Sequence, residues 1–434
     1  MAKDIWRIGV AGLGTVGGGL LSFLAEHPNF APAGGMAKVV GVSARSRSRP
    51  RPVDISRLPW FDDPVALAAS PDIDLFVELI GGSDGPAKVA VETALRLGKP
   101  VVTANKALVA EHGADLAALA EASGAPLLFE AAVMGGTPAV KMLREALVGE
   151  DVVAVSGILN GTCNYILTEM EAGGRAFAEV LAEAQRLGYA EADPTMDVGG
   201  FDAAHKITIL AALAFGGAPN YAAAEVEGID QIELLDIKLA RELGYRIRLV
   251  ASARAGKGGA GEGGVAVRVH PALAPLGHPL AETSGALNAL FLEGRRIGRI
   301  FIQGPGAGAG PTAAAVAADI ADVMTGAARP VFQAPAATLS PLAGIDAAHQ
   351  ATRAYLRVMV KDQPGAIAAV SEALAEASVS IDSFLQKPVH DAGGVPIVLT
   401  THAIRESVLF DAVERIGALP QVLGRPKMLR VAPV

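Results

Sequence analysis

Apolar and polar positions in the first third of the chain switch between two periods. Short β-rich runs at Ile5–Ala11, Lys38–Ser43, Leu75–Leu79, Pro100–Thr103 and Leu127–Glu130 are separated by helical spacings at Leu20–Glu26, Pro64–Ala69, Pro86–Leu97 and Ala114–Ser123. That alternation predicts an α/β unit with a doubly wound parallel sheet over residues 1–135. The middle of the chain reads differently, as an α+β unit over residues 136–326. It has a strand at Val152–Leu159, helices at Thr162–Glu171, Phe177–Leu187 and Ala203–Phe215, and strands near Ile247–Ala253 and Gly264–His270. The glycine-rich Ala255–Gly264 between the last two reads as a hairpin loop. A second glycine run, Gly304–Pro311, enters an alanine-rich helix, Thr312–Met324, expected to pack back onto the first unit.

Residues 327–351, rich in Ala and Pro, read as a linker. Beyond them, residues 352–434 form a separate unit. A strand at Tyr355–Val360 leads through Asp362-Gln363-Pro364-Gly365 into a helix at Ala366–Ala377. Strands Val379–Lys387 and Val395–His402 follow, joined across Asp391–Gly394, then a helix Ser407–Ile416 and a strand Arg425–Val431. The order β-α-β-β-α-β is ferredoxin-like.

Composition narrows the function classes. A chain of 434 residues with 51% hydrophobic content forms two or three domains. Net charge is -8 with no basic face long enough to follow a phosphate backbone, which argues against nucleic acid. The single cysteine, Cys163, precludes an internal disulfide and disfavours a thiolate metal site. No apolar run free of Gly and charge reaches about 20 residues and the N-terminus has no leader pattern, so the expectation is a soluble cytoplasmic protein with no membrane partner.

The first candidate site is Gly12-Leu13-Gly14-Thr15-Val16-Gly17, a Gly-x-Gly-x-x-Gly fingerprint placed directly after a predicted strand and opening a helix. In that context the glycines let backbone approach a pyrophosphate, whose charge meets the helix N-terminus, and the first unit is of Rossmann type. A common fingerprint for NAD puts an acid about 20 residues on, at the end of the second strand. Here that strand ends at Val42-Ser43 and is followed by Arg45-Ser46-Arg47-Ser48-Arg49-Pro50-Arg51. Arg45 and Arg47 suit a ribose 2′-phosphate, so NADP is expected over NAD, with NAD still possible.

The second candidate site is the acid-rich stretch Gly188–Asp197, closing at Asp202 and Lys206. The last two are four apart and share a helix face. Because the rest of that helix is Ile, Leu, Ala and Phe, the pair is expected to be half buried, and charges are seldom buried without a partner or a role. A carboxylate and an amine held there suit a small zwitterion and a proton transfer. His205 lies one residue off this face and reads as structural, and Cys163 as a small buried residue. Whether Asp193 and Asp197 line the site or stabilise the loop around Pro194 is left open. The turn Asn160-Gly161-Thr162 is expected to cap the helix from Cys163, with Thr162 or Asn160 near cofactor or substrate.

With these motifs in order, joined by Glu78–Gly82, Thr103–Leu108, Gly135–Pro138 and Gly157–Thr162, the chain resembles a homoserine dehydrogenase. The C-terminal unit resembles an ACT domain through Asp362-x-Pro364-Gly365, and the expected arrangement is monofunctional. The resemblance implies interconversion of L-homoserine and L-aspartate 4-semialdehyde with a nicotinamide cofactor, in the biosynthesis of threonine, methionine and isoleucine. It implies that Lys206 transfers the proton at the substrate hydroxyl, and that Glu191 and Asp202 hold the ammonium. Lys106, on the loop after Pro100–Thr103, would lie between cofactor and substrate, and Gly306 near the nicotinamide. A sodium ion would be held at Glu130, Val133, Gly135 and Thr137, largely by carbonyls. A homodimer or homotetramer built through the middle sheet is implied, as is feedback by threonine at Asp362, Pro364 and Gly365. Two rivals remain: a semialdehyde dehydrogenase, which needs an activated thiol, and a non-catalytic amino-acid sensor.

Overall fold

The computed structural model describes residues 3–32, 34–256, 263–327, 329–386 and 394–432. Strands β1 (Ile5–Ala11), β2 (Met36–Ser43), β3 (Trp60–Phe61), β4 (Leu75–Glu78), β5 (Val101–Thr103) and β6 (Leu127–Leu128) pair in parallel in the order β3-β2-β1-β4-β5-β6. The order reverses between β1 and β4, which opens a crevice at the carboxyl ends of those strands. Helices α1 (Thr15–Glu26), α2 (Pro64–Ala69), α3 (Pro86–Arg96) and α4 (Lys106–Ser123) cover the sheet. The strands are apolar on both faces, as a doubly covered parallel sheet requires. Ile8, Val10, Leu75 and Val77 join one core with Leu20 and Leu21, and Ala11, Phe76 and Val101 join another.

Two boundaries differ from the sequence reading. The helix expected from Ala114 starts at Lys106, because the Asn105 side chain accepts the Leu108 N–H as an N-cap. The strand expected to reach Glu130 stops at Leu128, and Glu130–Ala132 is a 3-10 turn.

The second sheet contains β7 (Val152–Ile158), β8 (Glu225–Val226), β9 (Tyr245–Ala255), β10 (Val265–Pro275), β11 (Leu287–Gly294) and β12 (Gly298–Pro305). Residues β9 and β10 pair antiparallel from Ala255↔Val265 to Tyr245↔Pro275, so the flanks of the expected hairpin are in place; residues 257–262 lie outside the described ones. Its helices are α5 (Ala139–Lys141), which runs on into a π-helical turn at Met142–Ala146, α6 (Gly161–Gly173), α7 (Phe177–Leu187), α8 (Thr195–Val198), α9 (Phe201–Phe215), α10 (Leu234–Glu242), α11 (Pro279–Glu282) and α12 (Ala309–Thr325). Helix α12 starts three residues before the sequence reading, with Pro311 in the first turn, where its missing N–H costs nothing. Its Ala313, Val316 and Ile320 do pack onto the first sheet.

The C-terminal strands are β13 (Ala351–Thr352), β14 (Ala354–Val360), β15 (Ile381–Gln386), β16 (Val395–Thr401), β17 (Ile404–Arg405) and β18 (Lys427–Val431), with helices α13 (Ala366–Glu376) and α14 (Glu406–Gly417). The turn expected across Asp391–Gly394 falls mostly outside the described residues. This unit is less separate than its sequence pattern implies. Strand β18 pairs in parallel with β10, giving one sheet in the order β12-β11-β7-β9-β10-β18-β14-β16-β15, with β8 on β10. On the face away from α13 and α14, Arg357 Nε donates to Asp236 Oδ1 of α10 at 2.7 Å, and Tyr355 Oη donates to the same oxygen at 3.3 Å.

Nor is the segment 327–351 a loose spacer. Phe332 is fully buried with its ring centroid 5.8 Å from that of Phe129, and Gln333 Nε2 donates to the Leu143 carbonyl at 2.6 Å. Val265 N–H donates to the Ala343 carbonyl at 2.8 Å. Composition reads this strap as a linker because proline-rich backbone bonds to its neighbours through main-chain groups that carry no side-chain pattern. No helix among the described residues is long and apolar enough to cross a membrane.

Candidate functional site

The glycine fingerprint folds as its sterics demand. Gly12 has φ +95°, and a Cβ there would sit 2.3 Å from the Leu79 carbonyl carbon; a Cβ on Gly17 would meet the Gly12 carbonyl. Gly14, the N-cap of α1, faces open space, which leaves the first-turn N–H groups of Thr15 and Val16 clear for an anion. Gly12, Leu13 and Gly14 line a cleft of about 770 Å³, together with Ser43, Ala44, Arg45, Arg49, Arg51, Asp62 and Ile80. No acid ends β2. Arg47 does not line the cleft: its guanidinium sits 5.9 Å from the Trp60 ring centroid. Arg49 and Arg51 do line it, and Arg51 also ties the loop to itself through the carbonyls of Ser46, Arg47 and Arg49. The alternating Arg-Ser pattern gives no hint of which arginines turn inward; Arg51 also lies over Trp60, at 5.6 Å, and still lines the cleft.

The acid–lysine pair lies on α9, whose residues Asp202–Leu213 are all buried. Burial is deeper than expected: Asp202 is 6% exposed and Lys206 8%. Lys206 Nζ donates to Asp202 Oδ2 at 2.7 Å and to the Leu159 carbonyl at 2.7 Å. The other carboxylate oxygen, Oδ1, lies 2.8 Å from Lys106 Nζ. Lys106 therefore comes not from a loop but from the first residue of α4, and Asp202 bridges two lysines. Asn160, the N-cap of α6 through its Oδ1 on Cys163 N–H, turns its Nδ2 to Asp202 Oδ2 at 2.9 Å and Asp197 Oδ1 at 2.7 Å. Asp197 thus joins the cluster, whereas Asp193 caps its own loop through Thr195 N and Oγ1. Glu191 is exposed at the rim, and its charge reaches Lys106.

The charges set the proton affinities. Burial pushes the Lys206 ammonium down from the ordinary lysine value, and Lys106 adds to this against the pull of Asp202. Lys106 is raised, chiefly by Asp202. The Asp202 carboxyl, although buried, is held well below the usual carboxylate range by Lys206 and Lys106. Burial raises Asp197. An amine brought towards neutrality, anchored by a permanent carboxylate, is equipped to exchange a proton.

The loop Glu130–Thr137 interlocks with the second glycine run. A Cβ on Gly135 would lie 2.7 Å from the Gly306 carbonyl oxygen, and Thr137 Oγ1 donates to the Pro305 carbonyl at 3.4 Å. Among the described residues no hydrogen bond reaches the carbonyls of Val133 or Gly135, while those of Glu130 and Thr137 each accept one. The Glu130 carboxylate accepts the N–H groups of Val140 and Lys141, and its own N–H donates to the buried Asp319. Burial first, and Asp319 second, push the Glu130 carboxyl up to about 7. That buried pair had no sequence signal, because its partners lie far apart along the chain.

Comparison with known proteins agrees with this geometry. Family models match at residues 12–130 (homoserine dehydrogenase, NAD binding domain), 138–321 (homoserine dehydrogenase) and 354–421 (ACT domain). The homoserine dehydrogenase of Neisseria gonorrhoeae is 42% identical over 98% of both chains, and that of Pseudomonas aeruginosa 41% identical over 98% of both. The chain belongs to the homoserine dehydrogenase family. The crystal structure of a homoserine dehydrogenase from Thiobacillus denitrificans superposes with a TM-score of 0.91 at 40% identity, covering 100% of this chain and 99% of that one. A hyperthermophilic archaeal homoserine dehydrogenase mutant in complex with NADPH superposes at 0.62 with 27% identity, covering 73% and 97%.

As a homoserine dehydrogenase this chain is an NAD(P)-dependent oxidoreductase with an ACT domain, which sets aside the sensor reading. The thiol reading falls on chemistry as well: Cys163 is fully buried and burial pushes its thiol well above the ordinary value, the opposite of an activated nucleophile.

Proposed function

We propose that L-homoserine binds against Asp202, Lys106 and Glu191, and that Lys206 exchanges the proton of its hydroxyl. The observation that carries this is the Asp202 carboxylate bridging two lysines, one buried and shifted towards neutrality. When homoserine is oxidised, neutral Lys206 takes the hydroxyl proton onto Nζ, and in the reverse direction ammonium returns it. Leu159 and Asp202 fix the direction of the Nζ lone pair, and Asp197 with Glu191 supplies negative charge for the substrate ammonium. The bound nicotinamide supplies the redox partner at the carbinol carbon.

NADP is the favoured cofactor: Ser43 offers no carboxylate to a ribose hydroxyl, Arg45 and Arg49 line the cleft beside it, and the archaeal relative is bound to NADPH. A sodium ion suits the free carbonyls of Val133 and Gly135, with Glu130 and Thr137 completing the turn. The ACT domain senses an amino acid, with threonine the first candidate; the loop Asp362–Gly365 runs into the N-terminus of α13, with Gly365 at φ +86° as its cap. The enzyme acts in the cytoplasm as a homodimer or homotetramer. A spectrophotometric assay with homoserine and NADP tests the core of this reading. Absence of homoserine-dependent NADPH formation by the full chain would overturn it.

A further inference from the structure

Helices α4 and α9 are tied together twice. At the acid–lysine cluster, Lys106 Nζ at the start of α4 meets Asp202 Oδ1 of α9 at 2.8 Å. Farther along both helices, His205 Nε2 lies 3.3 Å from Glu111 Oε1. From this double tie we infer that Glu111 and His205 are a positioning pair, setting the register of α4 against α9 so that Lys106 is held on Asp202. The inference rests on the roles proposed above for Lys106, Asp202 and Lys206.

The ion pair at the cluster does not fix that register unaided. The Lys106 side chain is 38% exposed on a long, flexible stem, so its attraction to the buried Asp202 can be met from more than one placement of α4. Lys106 also comes from the nucleotide-binding part of the chain and Asp202 from the second part, so their distance depends on how the two helices sit. His205 is the opposite kind of group. It is buried, has two side-chain torsions, and its ring stacks on Tyr221 with centroids 4.3 Å apart at 22°. A carboxylate only accepts, so in the neutral ring Nε2 carries the hydrogen and donates to Glu111. The other nitrogen, Nδ1, is buried with no hydrogen-bond partner among the described residues. A ring held at one edge by Glu111 and on its face by Tyr221 acts as a strut. Burial lowers its proton affinity against the pull of Glu111, which keeps it in this neutral form.

The test compares full-length wild type with Glu111→Ala, Glu111→Gln, His205→Phe and the double variant of Glu111→Ala with His205→Phe. The measurements are kcat and KM for homoserine, NADPH affinity by fluorescence without homoserine, the pH profile and the melting temperature. Glu111→Ala and His205→Phe should each lower kcat by about ten- to a hundredfold, the range that a misplacement of about 1 Å produces, and leave NADPH affinity unchanged. The double variant should be no worse than the singles, because one strut is lost in all three. Glu111→Gln keeps an acceptor for Nε2–H and should recover most activity.

The pH profile separates positioning from loss of folded protein. Lys206 is faced by Asp202 on its own helix, Lys106 on α4, Asp197 on α8 and Cys163 on α6. When Lys106 drifts away, a like charge leaves and Asp202 acts on Lys206 alone. Both changes favour the ammonium, so the pH limb for homoserine oxidation should move upward in Glu111→Ala. Additive losses, an unmoved limb, or unchanged kcat in Glu111→Ala would each overturn the inference. Inactive wild type would instead overturn the parent reading, whereas active wild type with unaffected variants removes only the strut.

Discussion

The Lys106 ammonium lies 2.8 Å from Asp202 Oδ1, joining the first residue of α4 to the first turn of α9 across two separately built sheets. Lys206 takes the other oxygen of the same carboxylate at 2.7 Å. One permanent anion thus organises two cations that differ in burial and in proton affinity.

The buried cation is the one that should matter for turnover. Lys206→Met should fold, bind NADPH normally and lose about 10²–10⁴-fold in kcat, the usual contribution of a general acid–base group. Since homoserine oxidation needs neutral Lys206, wild-type rate should rise with pH through a limb set below the ordinary lysine value. Near-normal turnover of the methionine variant at saturating homoserine would remove Lys206 from the mechanism.

Glu191 stands at the rim with its carboxylate exposed, close enough for its charge to reach Lys106. Glu191→Ala should raise KM for homoserine and leave NADPH affinity untouched. Steady-state kinetics in both substrates check this, and a change confined to the cofactor would contradict it.

Cofactor choice should depend on Arg45 and Arg49, which line the cleft, and little on Arg47, which lies over Trp60. Arg–phosphate hydrogen bonds contribute roughly 1.5–3 kcal/mol. Replacing Arg45 and Arg49 by Ala should therefore reduce the NADP-over-NAD ratio of kcat/KM by at least about tenfold. Arg47→Ala should move it much less, and a reversed ranking would show that the loop closes differently on the nucleotide.

His270 of β10 is buried and held neutral, its pKa pushed down to about 3 by burial and by Arg430. Unfolding releases it to its ordinary value near 6.5. The folded state thus binds fewer protons between these values, so the contribution to stability is whole above about pH 6.5 and is eroded as pH falls towards 3. The loss from this group amounts to roughly 2 kcal/mol by pH 5. Urea titrations at pH 7 and pH 5 should show that His270→Phe loses less stability on acidification than wild type; equal losses would place the acid sensitivity elsewhere.

Threonine should lower activity and raise the melting temperature of the full-length enzyme, and Asp362→Ala should abolish both effects while leaving uninhibited turnover intact. A point variant is the right control because a chain ending near Pro341 would lose β18 from the edge of β10, as well as the contact of Ala343 with Val265. No threonine effect on wild type would leave the C-terminal unit a structural role.

Much of this was legible from residue order. Period-two and period-3.6 patterns located β1, α2 and α7 to the residue, because each is bounded by its own glycine, proline or capping signal. Asp202 and Lys206 were paired correctly by their spacing. What escaped depends on contacts between distant segments. The start of α4 at Lys106 depends on Asn105 Oδ1 accepting the Leu108 N–H, which the apolar spacing used to read a helix from Ala114 does not register. The exchange of Arg47 for Arg49 in the cleft lining depends on loop conformation, which the alternating Arg-Ser pattern does not encode. The Glu111–His205 contact joins two helices whose separation in the chain hides it, and the Leu159 carbonyl that accepts from Lys206 carries no side-chain signature.

The parallel pairing of β18 with β10 has a consequence for how the polypeptide comes into being. The edge of β10 is completed by residues almost at the C-terminus, through Ala272↔Arg430 and Leu273↔Val431. During synthesis the six strands of the nucleotide-binding sheet emerge early, but β10 leaves the ribosome long before β18 exists. Until β18 is made, Ala272 and Leu273 present unpaired N–H and C=O groups to other nascent chains. Closure across so long a stretch of chain is a slow, high-contact-order event. Newly made molecules should therefore be most prone to aggregation and proteolysis in the interval before β18 docks on β10.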